Sequence, residues 1–134
     1  MAPGASEITK IPGDKSISHR SIIIASLSEG ITKFEGFLCS DDCLATLEIF
    51  QQLGVKIDRN GSSVTVNSPG ISGFLQPKGE LNVGNSGTGI RLISGVLSAL
   101  PFDTQITGDA SIQKRPMARI IDPLIQMGAV IESK

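Results

Sequence analysis

The sequence predicts an α/β fold built from a repeated βαβαββ unit, and three observations predict it. Gly13-Asp14-Lys15-Ser16-Ile17-Ser18-His19-Arg20 returns, altered, as Gly84-Asn85-Ser86-Gly87-Thr88-Gly89-Ile90-Arg91, an offset of 84 − 13 = 71 that also maps Arg20 onto Arg91. The likeness resumes at 32–36 against 104–108 (offset 72) and at 53–57 against 127–131 (offset 74). Between these landmarks, short alternating runs of strand character take turns with runs of helical period.

The elements follow in order. Residues 6–11 alternate polar and apolar and read as a strand stopped by Pro12-Gly13. A helix over 16–28, with Ile22, Ile23, Ala25 and Leu27, is nearly apolar all round and is expected to be buried, with Gly30 ending it. A strand over 32–37 comes next, then Ser40-Asp41-Asp42 supplies an N-cap and first-turn carboxylates for a helix to Leu53. Leu44, Leu47, Phe50 and Leu53 give that helix one core face, and Gly54 caps it. Strands over 55–58 and 63–67 form a hairpin around Asn60-Gly61. A loop over 68–79 joins the repeats, followed by a strand over 80–83 and a helix over 88–99 that Pro101 stops. A strand over 103–107, a connecting loop over 108–114, a helix from Pro116 to Met127 capped by Gly128, and a last strand over 129–132 complete the pattern. The second copy stops at Lys134, where the first turns back at Asn60-Gly61, so the sequence reads as a piece of something longer; a repeat that dispenses with its last strand is the other reading.

Composition narrows the function classes. At 134 residues and 40% hydrophobic, the chain can bury one modest core. A net charge of −1 argues against a general nucleic-acid binder, and five Phe with no Trp or Tyr offer no obvious base-stacking platform. No apolar run is long enough to cross a bilayer, and residues 1–6 lack a signal peptide's charged-then-apolar pattern, so a cytoplasmic protein without membrane partners is expected. Cys39 and Cys43 fit neither a disulfide nor, with the single His, a zinc site, so reduced and mostly buried thiols and no metal are expected.

Chemistry concentrates at the repeated loops. Helix N-termini carry unpaired N–H groups and positive partial charge, which suit phosphate or carboxylate. Two such ends, each with an Arg one turn in, suggest a site for a highly anionic small molecule. Lys15 suits either a solvated loop or an anion contact helped by Ser16, while Thr9 stands where a P-loop needs glycine. Arg20 and Arg91, set in apolar helices, must pair with a carboxylate such as Asp14 or Asp109, or line a cavity. Gly87 and Gly89, flanking Thr88, allow either a close ligand approach or a tight turn, and Asn85 either caps the helix or bonds a ligand. Lys114 and Arg115 sit where a helix dipole disfavours cations, which an anionic ligand would explain. His19 reads as structural before catalytic, and Asp41 and Asp42 as capping residues.

On the stretches 12–20 and 84–92, and on Gly108-Asp109 with Lys114-Arg115-Pro116-Met117, the chain resembles the N-terminal part of the 5-enolpyruvylshikimate-3-phosphate synthases. The resemblance implies βαβαββ units of the enolpyruvyl transferase fold, part of an inside-out α/β barrel domain. Residues 1–13 would be a strand and hinge belonging with a second domain, and 14–134 an incomplete first domain whose second unit is truncated. It implies transfer of the enolpyruvyl group of phosphoenolpyruvate to the 5-hydroxyl of shikimate 3-phosphate, on the route to aromatic amino acids, without metal or cofactor. The remainder of the enzyme chain would be the one macromolecular partner. Lys15, Ser16 and Arg20 would hold shikimate 3-phosphate; Lys15, Gly87, Thr88 and Arg115 would hold phosphoenolpyruvate. Lys15 would also be catalytic, with Asn85 and Arg91 in secondary roles. The space beside Gly87 would admit the inhibitor glyphosate, and the chain alone would be inactive. A UDP-N-acetylglucosamine enolpyruvyl transferase, which typically has Lys-Asn at Lys15-Ser16, and a non-catalytic anion-binding module are the alternatives.

Overall fold

Asp14 opens the fold by accepting a hydrogen bond from the Ile17 N–H at 2.8 Å, which caps helix α1 (Lys15–Leu27). The computed structural model describes residues 11–133, so the strand expected over 6–11 lies almost wholly outside it. Ser28 is already extended, and strand β1 (Glu29–Phe34) follows without a loop. That strand begins three residues earlier than expected (32 − 29), because strand β3 (Ser63–Pro69) runs far enough to pair Glu29 with Pro69. Gly30, expected to cap the helix, lies within β1 at φ 115°.

Helix α2 (Asp41–Gln52) starts from a Ser40 cap, and Gly54 leaves it at φ 95°, as expected. Strand β2 (Lys56–Asn60) turns through Gly61-Ser62 into β3, so Asn60 ends the strand and pairs with Ser63. The antiparallel sheet has the order β1-β3-β2. Val64, Val66 and Ser68 alternate inward from β3 and face a core with Ile22, Leu47, Phe50 and Leu53. Phe50 meets Phe74 edge-on, with ring centroids 6.0 Å apart. Each such buried apolar side chain contributes about 1.5–3 kcal/mol.

The second repeat is a βαβ unit: β4 (Leu81–Asn82), α3 (Gly87–Ser98) and β5 (Ile106–Thr107), with β4 and β5 parallel. Asp109 then caps a short helix, α4 (Ala110–Gln113), where a plain loop was expected. Helix α5 (Ala118–Gln126) begins at a Met117 cap, so Pro116 precedes it instead of filling its first turn. The strand expected over 129–132 does not form, since no described strand lies alongside to receive its hydrogen bonds. Nor is α1 buried all round: Ile17 is 66% and Ile24 61% exposed, on the face that neither α2 nor the sheet covers.

Candidate anion-binding site at the helix starts

Lys15, Ser16 and Arg20 are all exposed at the start of α1. The Lys15 ammonium pairs with the carboxylate of Asp42, in the first turn of α2, so Asp42 does more than serve the helix dipole. The Lys15 side chain is 51% exposed although that of Asp42 is only 18% exposed, so solvent still reaches the lysine and an anionic ligand can compete for it. Arg20 donates from Nη1 to the Ser16 carbonyl at 3.1 Å. It is neither buried nor paired with Asp14, because its side chain leans back over the first turn as helical side chains do.

The start of α3 repeats this arrangement. Arg91 reaches back to Gly87, as Arg20 does to Ser16: a Cβ on Gly87 would lie 3.5 Å from Arg91 Nη1. The same Cβ would collide with the guanidinium of Arg115, so two arginines stand over one glycine. Among the described residues neither arginine has a carboxylate within salt-bridge distance. Gly87 therefore leaves room for cations, and its backbone has no need of a positive φ. Arg115 follows the end of α4, which Lys114 caps, so both cations also suit the carbonyl end of that short helix. Thr88 is half-buried in the first turn of α3.

Ser86, and not Asn85, caps α3, accepting from the Gly89 N–H at 2.7 Å. Asn85 instead donates to the Asp109 carboxylate at 2.6 Å. That bond, with the backbone N–H of Ile112, holds the Asp109 carboxyl below its ordinary value.

Beneath both helix starts lies His19, with no exposed surface. Its Nδ1 is 2.7 Å from the Thr46 hydroxyl on α2, and its Nε2 is 3.4 Å from the Ser86 hydroxyl. Burial, helped by the nearby Lys15 and Arg20, lowers its pKa against the opposing pull of Asp42. A Cβ on Gly89 would come within 2.7 Å of the Ser86 hydroxyl oxygen and 3.5 Å of that of Thr46, so this glycine makes room for the buried polar cluster. Sequence spacing gave no sign of this cluster, because its members come from three elements.

The structure thus gathers Gly87, Thr88, Arg91 and Arg115 at one helix start, and Lys15, Ser16 and Arg20 at another. A cleft of about 580 Å³ lies off this cluster, beside Gly13 and Phe37, and its one charged side chain, Glu35, does not suit an anion. Among the described residues no three His, Cys, Asp or Glu side chains gather as a metal site, and no helix is long and apolar enough to cross a membrane. Cys43 is buried as expected, but Cys39 is exposed, because it lies in the loop before α2.

Two helix starts, each carrying exposed cations, thus stand on one α/β frame. The sequence model of the EPSP synthase (3-phosphoshikimate 1-carboxyvinyltransferase) family matches residues 3–134, and the chain belongs to that family. The 3-phosphoshikimate 1-carboxyvinyltransferase of Ruthia magnifica subsp. Calyptogena magnifica is 56% identical over 124 residues, 92% of this chain and 28% of that protein. Its counterpart in Oceanobacillus iheyensis is 53% identical over 125 residues, 93% of this chain and 29% of that protein. EPSP synthase from Acinetobacter baumannii superposes with a TM-score of 0.89 at 50% identity, covering 92% of this chain and 28% of that one. The enolpyruvyl transferase fold is therefore that of this chain, which spans a little over a quarter of these relatives.

Proposed function

We propose that the protein containing this chain transfers the enolpyruvyl group of phosphoenolpyruvate to the 5-hydroxyl of shikimate 3-phosphate, releasing phosphate, and does so in the cytoplasm. The observation that carries this reading is the pair of arginines over Gly87, unpaired among the described residues, at the N-terminus of α3. That arrangement suits a small, multiply charged anion, and relatives of this chain bear the name of the enzyme.

In this reading Gly87, Thr88 and Arg115 hold phosphoenolpyruvate, and Ser16 and Arg20 hold shikimate 3-phosphate. Lys15 exchanges Asp42 for ligand oxygens between the two. Asn85 acts indirectly, by fixing Asp109, and Arg91 adds positive potential. Protonation of the methylene of phosphoenolpyruvate develops positive charge at its middle carbon, the hydroxyl oxygen adds there as its proton passes to a base, and phosphate then leaves with the C–O bond electrons as the new methyl group gives up a proton to restore the double bond. Fixed cations hold the anionic groups through these steps without reorganising. Residues 1–13 serve as a hinge toward a second domain and 14–134 as part of the first. Gly13 packs close on the backbone of Gly36 and Leu38, leaving no room for a side chain, and so anchors the end of that segment on the first domain.

The test is phosphate release from phosphoenolpyruvate by the longest natural product containing these residues. Release that requires shikimate 3-phosphate and falls at least ~100-fold in Lys15→Ala is the expected result. No acceptor-dependent release from the folded protein would overturn the proposal.

A further inference from the structure

His19 carries no exposed surface, and both of its ring nitrogens meet hydroxyl groups and none of the cations assigned above. A buried imidazole with two hydroxyl partners on two other elements is a tie between them. One partner, Thr46, stands in the second turn of α2. The other, Ser86, is the side chain whose oxygen receives the Gly89 N–H and so fixes the first turn of α3. A side chain at Gly89 would collide with the Ser86 hydroxyl and touch that of Thr46, so the first turn of α3 lies close over the cluster. Gly87 and Thr88 lie in that same turn, under Arg115 and Arg91.

We infer that His19 is a positioning residue: through Ser86 it sets the pose of the α3 first turn and thereby the affinity for the phosphoenolpyruvate half of the site. The contact to Ser86 is the long one, at 3.4 Å against 2.7 Å for Thr46, so its loss is expected to cost little stability. This inference rests on the function proposed above, and its test keeps the two apart.

Two substitutions divide the imidazole's roles. An Asn amide ends near the Nδ1 position and can keep Thr46, whereas a Gln amide reaches the Nε2 position and can keep Ser86. In the full-length enzyme, His19→Asn is expected to raise KM for phosphoenolpyruvate about tenfold, with KM for shikimate 3-phosphate changed less than twofold. His19→Gln is expected to restore the phosphoenolpyruvate KM to within about threefold of wild type. A residue that served folding alone would lower the active fraction in both variants and leave both KM values in place. An unmoved phosphoenolpyruvate KM in active His19→Asn, or equal rises in both KM values, overturns the inference. If His19→Asn does not fold, Ser86→Ala takes its place, with the same selective rise expected and the same unmoved KM overturning it. Absence of turnover in wild type would overturn the proposed function instead. The tie is then read from melting temperatures of His19→Gln, Ser86→Ala and the double variant. Non-additive shifts are expected, and strict additivity overturns the tie.

Discussion

Gly87 is defined by what stands over it. A methyl group there meets the flexible end of Arg115, not packed backbone, so the fold should accept Gly87→Ala while the guanidinium is pushed aside. In the full-length enzyme this variant is expected to melt within a few degrees of wild type. It should raise KM for phosphoenolpyruvate severalfold and the inhibition constant for glyphosate much further; unchanged inhibition kinetics would contradict the crowding. His19 supports a second prediction. Its folded pKa is lowered, mainly by burial, so the unfolded chain takes up its proton first as pH falls. Stability from this group is full above the unfolded value of about 6.5 and is lost as pH falls from there toward the folded value. Thermal melts between pH 8 and pH 5 should show that decline, flattened in His19→Gln; equal slopes in the two proteins would refute it. Neither behaviour was legible in the residue itself. Lone histidines and Gly-x-Gly sequences occur widely, and what distinguishes these residues are neighbours 27 and 67 positions away for His19, and the residue pair 87 and 115.

Among the elements, the start of α2 was the most legible: Ser40 reads as its cap from local chemistry and accepts the Cys43 N–H. Asp14 and Ser86 cap α1 and α3 in the same way, although the sequence offered Asp14 as an arginine's partner and Asn85 as the α3 cap. Asp14→Ala should therefore destabilise the chain by about 1 kcal/mol in a denaturant titration; a change near zero would show that tertiary packing alone holds α1. The repeat also survives at this scale in an instructive form. α1 and α3 begin 87 − 15 = 72 residues apart, yet Arg20 over Ser16 and Arg91 over Gly87 keep the motif offset of 71. The side chains preserve the register that the assigned helix ends shift by one residue. The short α4 escaped the pattern because four residues carry too little periodicity to read, although Asp109 was there to mark it. The expected strand over 129–132 failed for the opposite reason: its residues suit a strand, but pairing depends on a neighbour.

At the scale of the whole molecule, the cations lie on an open face. Lys15, Arg20, Arg91 and Arg115 are all exposed, and the 134-residue chain spans 28% of a relative such as that of Ruthia magnifica. Water competes at such a face with every charge interaction that turnover would need. The purified 134-residue chain is accordingly expected to show no phosphate release with both substrates present; measurable turnover would show that this face suffices. The α/β class, the repeat and most helix limits were determined by the sequence itself. Each depends on residue pattern, period and capping residues that are read directly along the chain. Only the tertiary structure decided that Lys15 rests on Asp42, that two arginines share Gly87, and that His19 joins three elements. Those contacts span distances along the chain over which sequence pattern carries no geometry, and packing alone brings them within reach.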